Sequence, residues 1–147
     1  MTTNEALARR WMASKHWGGW RVGMKSNCGR LFIELRDEGE AFWVWCADDG
    51  CESLPLEIMA PDLDHPGTRA FLLEDMERAW GACRISLMKR SVPDSWPDDK
   101  RASASGFVLT IYRPGLGSIR DPSQQLWFGS SHDEAQLIIA ALESAPE

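Results

Sequence analysis

TRAFLLEDMERAWGACRISLMKR (68–90) holds a helix, a stop and a strand in one run. Leu72, Met76 and Trp80 recur at four-residue steps and line one side of a helix. Gly81 ends it, since glycine takes the left-handed conformation at helix C-termini without penalty. Cys83, Ile85 and Leu87 then alternate with Arg84, Ser86 and Met88, the two-residue period of a strand. Outward from this run, the same order of elements occurs twice. WRVGMK (20–25), RLFIELR (30–36) and AFWVWC (41–46) precede the helix headed by Thr68. CRISLMKR (83–90), GFVLTIYR (106–113) and QQLWFG (124–129) precede SHDEAQLIIAALES (131–144), headed by Ser131.

The pattern predicts an α+β fold in a single domain over 1–147, with pseudo-repeats over about 20–80 and 82–145. Two βββα units are expected to merge into one mainly antiparallel six-stranded sheet with helices against it. An N-terminal helix is expected over about 4–15, opened by the capping-box spacing of Thr2 and Glu5 and closed by Gly18 and Gly19. Ser131 and Glu134 repeat that spacing at the last helix. There, Ala135, Ile138, Ile139 and Leu142 form the apolar face. The strand at 41–47 is apolar on both faces, as expected of a central, doubly covered strand.

The chain has 147 residues, 44% apolar and 26% charged, with a formal net charge of −6. A general nucleic-acid binder carries a basic domain, so duplex DNA is not an expected partner. No run approaches the roughly 18 apolar residues of a membrane span, and the first residues lack the apolar core of a secretory signal. The cytoplasm is therefore the expected compartment. In it Cys28, Cys46, Cys51 and Cys83 are read as reduced thiols, and a Cys46–Cys51 disulfide belongs only to an exported protein.

Eight tryptophans stand against one tyrosine. Trp11, Trp20 and Trp80 read as core. Trp43 and Trp45 share one face of a strand and are equally well read as core or as an exposed aromatic platform. Arg21, Lys25, Arg84 and Arg90 lie on the polar faces of two expected strands. Beside the tryptophans they would form a site for a nucleotide or other small anionic ligand, unless they are simply a solvated strand face. Asp37, Glu38, Glu40, Asp48, Asp49 and Glu52 gather acidic charge in the first half and are the candidates for an acidic surface facing a protein partner.

Chemistry-bearing patterns are sparse. His65 lies in PDLDHPG beside Asp64, and His132 lies beside Asp133; each is a hydrolase candidate only if a cleft brings it a second polar group. Asp62, Asp64 and His65 are three potential metal ligands in one short loop, a spacing that seldom completes a site. Gly115 and Gly117, flanked by Arg113 and Arg120, read as a loop rather than a phosphate cradle. No catalytic residue, metal or cofactor is assigned, and the chain is expected not to be an enzyme.

The entry APDLDHPGT, the helix TRAFLLEDMERAW and the ending FGSSHDEAQLIIAAL, with its Glu134-Ala135 pair, resemble small phage and prophage domains of the ABA-sandwich type. The resemblance spans about 61–142 and implies phage association but no catalytic residues. The function expected is that of a non-enzymatic binding or regulatory protein. It would be a phage or mobile-element accessory factor, such as an inhibitor of a host defence system acting through a protein partner. The alternative is the small-anion binder. A homodimer is compatible with the sequence, and a membrane partner is not expected.

Overall fold

Among the described strands, pairing runs only between neighbours in the chain. The computed structural model describes residues 3–37, 40–47, 50–52, 59–90, 95–100, 106–115 and 122–146. Its elements are α1 (Thr3–Ala13), β1 (Leu31–Asp37), β2 (Glu40–Ala47), β3 (Gly50–Glu52), α2 (Pro66–Trp80), β4 (Arg84–Arg90), β5 (Gly106–Tyr112), β6 (Gln125–Ser131) and α3 (Glu134–Glu143). A single 3-10 turn, Pro122–Gln124, leads into β6. The architecture is α+β, but the expected six-stranded sheet is not formed. Two separate antiparallel sheets of three strands occur, in the orders β1-β2-β3 and β4-β5-β6. The chain divides into two compact units, Met1–Asp75 and Met76–Glu147, with the division inside α2.

The first expected strand, Trp20–Lys25, is a turn. Gly19 and Gly23 take φ of +84° and +103°, and the Met24 N–H donates to the Arg21 carbonyl at 3.0 Å. Positive φ breaks the pleat, so the alternation of Trp20, Val22 and Met24 has no strand to act on. The segment is tied to β1 by the Gly23 N–H donating to the Phe32 carbonyl at 3.0 Å, the Phe32 N–H donating to the Met24 carbonyl at 2.8 Å and the bridge Lys25–Leu31, and Ser26 bridges to Pro61. A short strand after β2 restores the count of three: β3 pairs with β2 through Trp45–Glu52, Cys46–Cys51 and Ala47–Gly50. The expectation of four reduced thiols fails at Cys46, which is disulfide-bonded, and stands for Cys28 and Cys83, which are free thiols.

In the first unit β2 is central, and both of its faces are covered: Val44 and Trp45 are buried. Phe32, Trp45 and Met59 form a core cluster against which Trp20 packs. Edge-to-face contacts extend it. Trp20 meets Trp45 at 4.6 Å between ring centroids, Trp17 meets Trp20 at 5.8 Å, and Trp11 meets Trp17 at 4.7 Å. This T-shaped geometry sets the positive ring edge against the negative ring face. It accounts for four of the eight tryptophans.

The helix starts differ from expectation. Pro66 opens α2, which suits proline because the first helical N–H needs no partner. His65 precedes it, and its Nδ1 accepts the Thr68 N–H at 3.3 Å. Thr68 is buried in the first turn rather than heading it, and its hydroxyl accepts the Lys25 N–H at 2.9 Å. Asp133, not Ser131, caps α3, accepting the Ala135 N–H at 3.0 Å. Ser131 stays in β6 and receives the Asp133 N–H.

The second unit packs α3 onto β5 and β6. Leu109, Ile111, Ile138, Ile139 and Leu142 are fully buried. Gly129 admits this approach: a Cβ there would lie 2.5 Å from Trp127 Cη2 and 3.0 Å from Leu137 Cδ1. The Trp80 indole donates to the Ala141 carbonyl at 2.8 Å, in the last turn of α3, where that carbonyl also accepts the Ser144 N–H at 3.2 Å.

Among the described residues, one charge lies within the first unit's core. Asp75 is fully buried on α2. Its carboxylate accepts the Trp11 indole N–H at 2.9 Å, the Gly18 N–H at 3.0 Å, and two bonds from Arg21 at 2.7 and 2.9 Å. Burial pushes its pKa up. The bonds from Arg21, Gly18 and Trp11, with the Arg21 charge, outweigh burial and hold it below the usual carboxylate value. Gly18 is required by the close approach, since a Cβ there would lie 2.8 Å from Asp75 Oδ1.

Arg21→Ala would strand this carboxylate and should cost about 3–5 kcal/mol. Asp75→Asn should cost about 2 kcal/mol, both read by urea denaturation at pH 7. A depressed pKa contributes stability that is complete above the unfolded value, near 4, and is lost as pH falls through the folded value. The wild type and Asp75→Asn are therefore expected to converge in stability in acid.

Candidate functional site

Alternation along β4, β5 and β6 gives the second sheet two unlike faces. Ile85, Leu87, Leu109, Ile111 and Trp127 fall on the face that α3 covers. Ser86, Thr110 and Phe128 form one rung of the opposite face, and Met88, Val108 and Ser130 form the next. Adjacent strands lie about 4.8 Å apart and residues rise about 3.4 Å along a strand, so Met88 and Phe128, one rung apart on either side of β5, are diagonally about 12 Å apart. Met88 is 62% exposed, Phe128 52% and Leu126 41%. The register shifts between Ile111 and Tyr112, which pair with Trp127 and Gln125, so Leu126 occupies an irregularity at the end of the sheet.

Cations stand at both ends of β4. Arg84 pairs with Tyr112, donates from Nε to the Arg113 carbonyl at 3.0 Å, and sets its guanidinium 5.9 Å from the Tyr112 ring. Arg90 pairs with Gly106 and is exposed. These two candidates are about 20 Å apart along the strand, with the apolar side chains between them. The face therefore carries exposed apolar side chains among Ser86, Thr110 and Ser130, with cations at the two ends of its β4 edge.

The first-unit candidates are arranged otherwise. Trp45 is only 1% exposed and belongs to the core. Trp43 pairs with Glu34 in the register of β1 and β2, and its side chain lies outside the described residues. Arg21 is bound to Asp75 and stacks 4.8 Å from the Phe71 ring. Lys25 is half-buried, with its backbone held by Thr68. Arg21 and Lys25 therefore do not share a strand face with an open tryptophan platform.

The acidic candidates divide between two places. Asp37 and Glu40 are cross-strand partners at one end of β2. Glu52 pairs with Trp45, five residues or about 17 Å along that strand. Glu38, Asp48 and Asp49 lie outside the described residues.

An open cleft of about 410 Å³ lies beside the start of α1, lined in part by Asn4, Glu5, Asn27, Asp62 and Asp64. Its polar groups bond mainly with each other or with nearby chain. Asn4 Nδ2 donates to Asp64 at 2.9 Å, the Asp64 N–H donates to Asp62 at 3.0 Å, and Asn27 Oδ1 accepts the Ala60 N–H at 3.3 Å. His65 caps α2, and His132 is exposed beside the cap of α3. Among the described residues, no group of three or more histidine, cysteine or acidic side chains is placed to hold a metal ion. None of the described helices is long and apolar enough to cross a membrane.

The sequence reading missed two features. Asp75 was detectable as a carboxylate beside the stripe of Leu72, Met76 and Trp80. The exposure of Met88 and Phe128 was the other: alternation set Met88 on the face opposite Ile85 and Leu87, but only the register of β4, β5 and β6 puts it on one face with Phe128. Met88→Asp and Phe128→Asp are expected to shift stability by less than about 0.5 kcal/mol. Leu109→Ala, on the covered face, should cost about 2–5 kcal/mol in the same denaturation measurement. Comparison with protein-family models, with characterised proteins and with solved structures finds no match.

Proposed function

We propose that the chain is a non-enzymatic binding protein that engages a protein partner through the open face of β4-β5-β6. One observation carries this reading. Met88, Leu126 and Phe128 stand exposed on a sheet whose other face is already packed by α3. Large apolar side chains left exposed on one sheet face cost hydration free energy and mark an interaction site. Aromatic and methionine side chains with an arginine at the margin are the composition favoured at interface centres. The partner expected is an apolar segment with acidic flanks, placed to meet Arg90 at one end.

The narrower form of the proposal is a phage or mobile-element accessory factor that inhibits a host defence system. Its support is the small size and the net charge of −6. The acidic candidates would serve such a role as two separate clusters along β2, one at Asp37 and Glu40 and the other near Glu52.

A photo-crosslinking residue at position 88, expressed in the native host, tests the site. The expected result is one discrete crosslinked protein, lost when Phe128→Asp is added, with none from the same probe at the exposed position 77. Equal capture at 77 and 88, or none at 88, overturns the reading.

A further inference from the structure

The two sheets have four edge strands: β1, β3, β4 and β6. An exposed edge presents unpaired N–H and C=O groups, and proteins blunt it with charge, proline or shortness. β1 carries Glu34, Arg36 and Asp37, and β4 carries Arg84, Lys89 and Arg90. β3 has three residues and ends on Glu52. β6, QLWFGSS, has seven residues and contains neither a charge nor a proline. Gln125, Leu126, Phe128 and Ser130 along it are exposed. Among the described strands it is the one edge of full length without charge or proline, its regular part running from Trp127 to Ser131 beyond the irregularity at Leu126.

We propose that β6 pairs antiparallel with β6 of a second copy of this chain, joining two three-stranded sheets into a continuous six-stranded one. The residue order of β6 fits this occupant. Overlap of the two strands centres the two-fold axis on Phe128. Trp127 then lies opposite Gly129 of the second copy and Phe128 opposite itself; the outer pairs, Leu126 with Ser130 and Gln125 with Ser131, flank the irregularity that β6 carries at Leu126. Each large residue meets a small one, and the central pair is aromatic on aromatic, a favourable cross-strand combination. A two-fold interface must complement itself, and this strand does so in size without setting like charges opposite one another. The net charge of −6 per chain opposes association at long range, but salt screens it beyond about 10 Å. The dimer is therefore expected to tighten with added salt, the opposite of an interface held by ion pairs. The proposal rests on the edge of β6, not on the open face that carries the partner reading.

Sedimentation velocity from about 1 μM to about 1 mM protein tests it. The expected result is a reversible monomer–dimer equilibrium, weakened about tenfold or more by Phe128→Lys and by Ser130→Lys and unchanged by Met88→Asp. Far-UV circular dichroism confirms that each variant is folded. The register has its own test in a Cys28→Ser, Cys83→Ser background, which removes the free thiols. Phe128→Cys should form an intermolecular disulfide on mild oxidation, and Leu126→Cys should not. A monomer throughout the range, a dimer indifferent to both lysine variants, or equal crosslinking at positions 126 and 128 overturns the proposal. Failure of the partner crosslink at position 88 leaves these outcomes unaffected.

Discussion

The buried Asp75 carboxylate organises the first unit. A charge on the inner side of a helix is tolerable only when every exposed lone pair finds a donor. Here the donors come from three separate stretches of chain: Trp11 on α1, Gly18 in the connection, and Arg21 in the turn that follows. Fixing the Trp11 indole fixes one end of the aromatic series. Trp17 stands edge-on against Trp11, Trp20 against Trp17, and Trp45 against Trp20. A directional electrostatic demand at one atom thus propagates through rings that accept only a few mutual orientations. Hydrophobic burial supplies most of the free energy but has no direction; the carboxylate supplies the direction.

The second unit reaches its core by different means. Leu109 and Ile111 on β5, together with Ile138, Ile139 and Leu142 on α3, are fully buried. Asp133 and Trp80 satisfy opposite ends of α3. One helix covers one face of a three-stranded sheet, and on the other face Met88 and Phe128 are exposed while the central Thr110 between them is buried. What departs from the usual pattern is that the solvent face keeps methionine, leucine and phenylalanine where polar residues would serve solubility better. The two units therefore use their aromatic residues to different ends: interlocked rings in the first, and an exposed Phe128 in the second.

Much of this was legible in the chain. The stripe Leu72, Met76 and Trp80, the face Ala135, Ile138, Ile139 and Leu142, and the alternation in 83–90 and 106–113 all mark what is buried, because periodicity reports directly on which side faces a neighbour. The doubled order of three strands and a helix also holds, although its first member is β1 at Leu31 and not the segment at Trp20. That segment alternates well, yet two glycines at positive φ turn it, and local alternation is blind to backbone conformation. The start of α2 was displaced for a similar reason: His65 and Pro66 form the entry, while Thr68 is spent on the Lys25 backbone, a partner distant in sequence.

By itself the sequence determined the helices, five of the six strands, the α+β class and the scarcity of catalytic patterns, since each depends on neighbours within a few residues. Only tertiary structure decided that the strands form two sheets instead of one, that Trp45 is core and Arg21 is bound to Asp75, and that Met88 and Phe128 remain uncovered. The physical reason is range. Periodicity shows which face of an element is apolar, but whether that face meets a sheet, a carboxylate or water depends on residues tens of positions away, such as the 54 that separate Arg21 from Asp75.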